Sequence, residues 1–200
     1  ANAHPHFTGE TRRHQPHLDW PLQWRAPRRI FGADMSDLFY ECVTNEEIAA
    51  VFGVMAACPQ HRFQVLTKRA KRLAEWFACA ATLAREPHGD GDPRWDQRPL
   101  ECWRATEAAA PRFVSSVWSS EMWERVHRIP WPLPNVWLGV SVESRDYLWR
   151  LDELRKVQAA VRFVSFEPLL GDLGTIDLTG ISWAIVGGES GPGHRPTEIE

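Results

Sequence analysis

The chain has 200 residues, 44% of them hydrophobic, with 23 Lys plus Arg against 26 Asp plus Glu and a net charge of -3. That is enough apolar material for one sizeable core. The charge balance excludes a global basic field drawing the protein to nucleic acid or acidic lipid, and leaves only a local basic groove. No stretch approaches the roughly 20 apolar residues that cross a bilayer, and the amino terminus has neither an apolar signal core nor a cleavage motif, so a cytoplasmic protein with no membrane partner is expected.

Residues 1–27 contain four His and four Pro and no sustained periodicity. They read as an irregular leader that packs on the main domain through Trp20, Leu22 and Trp24. His4, His6, His14 and His17 lack partners at a ligand spacing, so no metal centre is expected there. From residue 28 to residue 200, short apolar runs alternate with helical patterns, as in βα units around a parallel sheet. The runs are Arg29 to Ala33, Arg62 to Leu66, Val136 to Val142, Val161 to Ser165 and Trp183 to Val186. Their β-branched and aromatic content predicts strands buried on both faces.

Thr44 with Glu47 forms a capping-box pattern ahead of Ile48, Val51, Phe52 and Met55, predicting a helix that stops near Cys58-Pro59. Leu73, Trp76, Phe77, Ala80 and Ala84 mark a second helix. Ser144 is placed to cap a third, with Leu148, Leu151 and Leu154 facing inward. Residues 87–132 interrupt the alternation and read as an insertion between the second and third strands. They hold five of the 11 tryptophans, which points to extra core, with a lid or partner surface as the alternative. The fold class is therefore α/β, a partial parallel β/α (TIM-like) barrel with an inserted segment.

In such a barrel the residues just past each strand converge on one rim. Here those positions hold Asp34, Ser36 and Asp37, then Lys68 and Arg69, then Ser141 and Glu143, then Glu167, and last Gly187, Gly188, Glu189, Ser190 and Gly191. Lys68 can hold a carboxylate or phosphate, or form a Schiff base if desolvated. The glycines allow close approach of backbone N–H groups to an anion or a nucleoside edge. Asp37, Glu143, Glu167 and Glu189 are candidate proton-transfer groups or acceptors for amines and ribose hydroxyls. Each position alone also suits an ordinary turn, cap or surface ion pair. Cys42, Cys58, Cys79 and Cys102 lie 16, 21 and 23 positions apart, which matches no zinc, redox or disulfide framework and predicts reduced, packed thiols.

The strings PRRIFGADMSDLF (27–39), FQVLTKR (63–69), PLPNVWLGVSVES (132–144), VRFVSFEPLLG (161–171) and WAIVGGESGPGHRP (183–196) resemble the phage-associated three-Cys-motif proteins, a radical-S-adenosylmethionine-like family. The resemblance implies a partial barrel that binds S-adenosylmethionine and a four-iron four-sulfur cluster held by three closely spaced cysteines. Such a motif is absent from these 200 residues, so the chain is expected to be an inactive fragment, with five of about six strands and its cluster ligands upstream. On that reading Lys68, Arg69, Ser141, Glu143, Gly187, Gly188, Glu189 and Ser190 bind the cofactor, and Asp37 and Glu167 are the catalytic carboxylates. The substrate stays open, with a nucleic acid or nucleotide as the phage association implies. Two other readings stand beside it: a barrel lyase or aldolase using Lys68 as its Schiff-base amine, and a non-catalytic barrel that binds nucleic acid or protein through Arg12, Arg13, Arg25, Arg28, Arg29 and the tryptophan-rich insertion.

Overall fold

Thr44 opens the first long helix as its pattern predicts: its hydroxyl accepts from the Glu47 amide at 3.3 Å, while the Glu47 carboxylate accepts from the Thr44 amide at 2.6 Å. Two donors that would otherwise lack a partner are thereby satisfied, and Glu46 and Glu47 lie at the positive end of the helix dipole. The computed structural model describes residues 15–32, 36–83, 119–189 and 191–195. In chain order they form α1 (Gln15–Gln23), β1 (Arg29–Gly32), α2 (Asn45–Ala57), β2 (Arg62–Thr67), α3 (Ala70–Leu83), α4 (Ser120–Arg128), β3 (Val136–Ser141), a 3-10 turn (Arg145–Tyr147), α5 (Trp149–Lys156), β4 (Val161–Phe166) and β5 (Trp183–Val186).

All four pairings are parallel, and the strands lie side by side in chain order from β1 to β5. The sheet is open, with β1 at one edge and β5 at the other. Alternation of side chains gives it two different faces. Phe63, Val65, Leu138, Val140 and Val164 point into a core shared with α2, α3 and α5. Gln64, Leu66, Trp137, Gly139, Phe163, Trp183 and Ile185 lie on the other face, and none of its apolar residues belongs to that core.

The five predicted strands are present, each starting where expected and ending within one residue of the prediction. Burial on both faces holds for β3, but not for the edges: Phe31, Trp183 and Val186 are exposed, because an edge strand has a neighbour on one side only. The leader is corrected in part. Residues 15–23 are helical, with Leu18 and Leu22 packed on the core, and the buried His61 ring joins α1 to the sheet through the Pro21 carbonyl at 3.0 Å and the Arg28 amide at 3.2 Å. Residues 1–14 lie outside the description.

Ser144 also departs from expectation. It precedes the 3-10 turn and makes no side-chain cap bond; α5 begins at Trp149, with Leu151 and Leu154 buried. Of the predicted insertion, residues 87–118 lie outside the described residues. Its carboxyl-terminal part forms α4, capped by Ser119, and Val126 and Ile129 enter the core while Arg125 donates to the Ala57 carbonyl at 3.2 Å. Trp131 packs 5.6 Å from Phe77 and 6.4 Å from Phe52. Val126, Ile129 and Trp131 of this portion pack on the core, while Glu121, Glu124, Arg125 and Arg128 stay exposed.

Gly139 is needed for packing on the second face. A Cβ there would lie 2.5 Å from the Phe163 ring, which is backed by Trp183 at 5.5 Å and has little room to retreat. Gly139→Ala is expected to lose roughly 1–3 kcal/mol in urea unfolding through overpacking. Gly139→Ala with Phe163→Leu should recover part of that loss; no recovery would show that the ring is not the obstacle.

Candidate functional site

Parallel strands deliver their last residues to one end of the sheet, and the buried polar residues Thr67, Ser141, Glu143 and Ser165 all lie there. At the β1–β2 side, Asp37 uses both oxygens. Oδ1 accepts from the Thr67 hydroxyl at 2.7 Å and the Phe39 amide at 2.9 Å; Oδ2 accepts from the Lys68 amide at 3.0 Å and Arg69 Nη1 at 3.3 Å. Four donors on one carboxylate make Asp37 a clamp between the segment after β1 and the end of β2. Arg69 also faces Glu41 at 3.7 Å and lies 4.7 Å over the Tyr40 ring, so its charge is already engaged.

Glu143 is the centre of the rim. Its carboxylate is almost wholly buried, ion-paired through Oε1 to Lys68 and through Oε2 to Arg150 Nη1 at 2.8 Å. Arg150 is itself buried and also donates to the Ser141 carbonyl at 2.7 Å, tying α5 to the end of β3. Its guanidinium lies 4.1 Å from the Tyr147 ring centroid and 5.9 Å from that of Trp149. Burial pushes the Glu143 carboxyl up, but the hydrogen bond from Lys68, its own backbone amide and the charges of Lys68 and Arg150 outweigh it and hold the group below the ordinary carboxylate value. Glu143 is therefore a fixed anion at neutral pH. Lys68 remains half exposed, so it can exchange Glu143 for a ligand anion, but it is not enclosed in the apolar pocket that a Schiff-base amine needs.

One strand over, Glu167 accepts from the Ser165 hydroxyl at 3.0 Å and is otherwise open to solvent. A Cβ on Gly187 would lie 2.5 Å from its Oε1, the far end of an exposed, flexible side chain, so the glycine lets the chain just past β5 run close beside this carboxylate as it stands. The Leu170 amide donates to the Glu143 carbonyl and the Leu169 amide to the Gly187 carbonyl, which holds the segment after β4 across the row Glu143, Glu167, Gly187. Gly188 is exposed beside it. Glu189 is removed from this row by Arg195, which grips it through Nε and Nη2 at 2.8 Å each and through its amide at 2.9 Å. Those contacts hold the Glu189 carboxyl down to about 2. Ser190 and Asp34 lie outside the described residues.

Lys68, Ser141, Glu143, Glu167 and Gly187 thus form one surface, Asp37 and Arg69 brace it, and Glu189 closes a separate turn. Arg150 was missing from the expectation. Its only sequence signal is a charged residue four positions before Leu154, on the inward stripe of an amphipathic helix.

Arg150→Met keeps an unbranched stem and removes the charge. Losing one partner of a buried ion pair is expected to cost about 3 kcal/mol or more at neutral pH in urea unfolding. The sign with pH is definite. A carboxyl held below its ordinary value of 4.5 adds stability that is present above that value and lost as pH falls through the folded-state value. Without Arg150, burial is less opposed, so acid destabilisation should begin at higher pH than in the parent. Identical profiles from pH 3 to 7 would show that Arg150 does not hold Glu143 ionised.

Over residues 2–200 the chain matches the family described as "Protein of unknown function (DUF5131)". No curated protein and no solved structure matches it. With the match spanning nearly the whole chain, the protein belongs to the DUF5131 family.

Proposed function

We propose that the rim at the carboxyl ends of the strands binds S-adenosylmethionine in a radical-type enzyme, and that β1 to β5 are part of a β/α barrel around it. The observation that carries this reading is the Lys68–Glu143–Arg150 chain, a buried anion fixed on one side by a buried guanidinium and met on the other by a half-exposed ammonium. That arrangement suits a ligand with an ammonium and a carboxylate on one carbon. The ligand ammonium goes to Glu143 or Glu167, its carboxylate goes to Lys68, and Arg150 keeps Glu143 charged throughout. Ser141, Gly187 and exposed Gly188 leave small groups and backbone for the nucleoside end. Arg69 serves less well as a carboxylate partner, since Asp37 and Glu41 already hold it.

With S-adenosylmethionine and a reduced iron–sulfur cluster bound, the site would be supplied with hydrogen-abstraction chemistry. The described cysteines do not fit that cluster. Cys42 is exposed ahead of α2, and Cys58 is buried at the far end of that helix, its thiol pushed up to about 12 by burial despite the Arg125 charge. Among the described residues no three His, Cys, Asp or Glu are grouped for a metal. This chain's own contribution is to bind, orient and shield. Glu167, exposed and held by one hydroxyl, is the rim carboxylate placed to hold or move a proton; Asp37 positions the end of β2 at Lys68.

S-adenosylhomocysteine keeps the amino-acid and nucleoside ends and cannot be cleaved by reduction, so calorimetric titration of the chain with it isolates binding. Saturable binding is expected, at least about tenfold weaker (roughly 1.4 kcal/mol) in Lys68→Ala and in Glu143→Gln. Methylthioadenosine, which lacks the amino-acid end, should bind weaker by a similar factor. Absence of saturable binding to the folded chain, or equal affinity in both variants, overturns the assignment.

A further inference from the structure

The opposite end of the sheet has a different composition. Residues 20–33, 57–66, 129–142, 157–166 and 178–188 are the five strands with the segments that lead into them, and they contain no Asp or Glu. They do contain Arg25, Arg28, Arg29 and Arg62, all exposed and none with a carboxylate partner among the described residues. Instead, two of these arginines sit on tryptophans: the Arg28 guanidinium is 4.4 Å from the Trp24 ring centroid and that of Arg62 is 5.0 Å from Trp137. Trp137 meets Trp183 at 5.8 Å, and Trp24 lies 6.4 Å from Trp20. The two groups are continuous, because Arg29 pairs with Arg62 in the β1–β2 register and the Arg62 amide donates to the Arg28 carbonyl at 2.8 Å.

We infer that this amino-terminal end of the sheet is a docking surface for single-stranded nucleic acid. Such a ligand offers two repeating features, a phosphate charge and a flat ring, and the surface offers a partner for each. The unpaired arginines meet phosphates with no acidic side chain of their own strands to repel them. Trp183 at 40% exposure and Phe31 at 45% present ring surface for bases. An acidic peptide would use the arginines and leave the rings idle. A duplex hides its bases and has the same defect. The chain's net charge of -3 gives no long-range attraction, so binding must come from this patch and remain local. Of the flanking acids, Asp177 is engaged by Arg155 and Glu124 by Arg128 at 3.5 Å, while Asp19, next to Trp20, turns one carboxylate oxygen inward, leaving it as a single acid beside four exposed arginines. The surface lies at the end of the sheet away from Lys68 and Glu143, so its binding is measured separately from the cofactor's; it requires the second face to stay open at that end, as it is in this open sheet.

Anisotropy titrations with labelled oligo(dT) and oligo(U) of about 12 nucleotides, with tryptophan fluorescence read in parallel, test the inference. Saturable binding with indole quenching is expected, with log K falling against log salt at a slope of up to about -2.8 for four phosphate contacts on a single strand. Arg28→Ala with Arg62→Ala should flatten that slope by about 1.4 and weaken binding at low salt at least tenfold. Arg145→Ala, at the other end of the sheet, should bind like the parent. No binding at low salt overturns the inference. Equal competition by a duplex of the same length, or binding of heparin or polyglutamate as tightly and without quenching, overturns it in favour of a surface that reads charge alone. Parental binding by the double variant, its fold checked by thermal melting, places any nucleic-acid site elsewhere and overturns it as well.

Discussion

A carboxylate buried at the end of a strand stays charged only if cations reach it, and the rim of this protein is organised around that constraint at Glu143. Arg150 comes from α5 and Lys68 from the end of β2, so one anion draws a helix and a neighbouring strand to the end of β3. The same guanidinium binds the Ser141 carbonyl and lies against Tyr147 and Trp149, which fixes the path of the chain between β3 and α5. A buried ion pair of this kind contributes little net stability against a well-packed apolar alternative. Its consequence is positional: a charged group held at one place beside a half-exposed partner that can move.

The strands carry this arrangement because they are parallel. In an antiparallel sheet, alternate strand ends would be scattered to both sides and their polar residues separated. Here every strand that ends in a polar group ends on the same side. The converse holds at the other end, where the segments entering the strands carry arginine and tryptophan and no acid. The sheet therefore has an acidic, hydrogen-bonded end and a basic, aromatic end, joined by the second face on which Gly139 makes room for Phe163.

The strands were legible because burial on a parallel sheet demands continuous apolar runs, and α2 because Thr44 and Glu47 are local neighbours whose mutual bonds need no tertiary context. That Lys68, Ser141, Glu143 and Glu167 gather at one end of the sheet was legible from strand ends alone. What could not be read was how the charges are apportioned. Asp37 and Glu167 look alike in sequence, yet four donors saturate the first and a single hydroxyl reaches the second. Glu189 resembles Glu143 as a carboxylate just past a strand, but Arg195, six residues on, withdraws it into a turn of its own. These distinctions depend on partners 30 or more residues away, or on local turns that no periodicity announces. The helix in the leader escaped for a different reason: Pro21 lies inside α1, and a proline within nine residues masks a helical pattern that packing on α2 sustains.

The difference between Lys68 and Arg69 shows why the rim is better suited to binding than to holding itself together. They are adjacent cations, each facing a carboxylate. Arg69 makes contacts to Asp37, Glu41 and the Tyr40 ring from a part-buried position, so moving it would break several interactions at once. Among the described residues Lys68 has one ionic partner, and that partner keeps a second cation when Lys68 leaves. Because Arg150 remains, Glu143 is not left as an uncompensated buried charge, and freeing Lys68 costs less than stripping a buried charge of its last partner. A ligand carboxylate or phosphate repays that readily. Two guardians on one carboxylate, one buried and one mobile, give the protein a lysine that is held in place while the site is empty and free to engage an anion when one arrives.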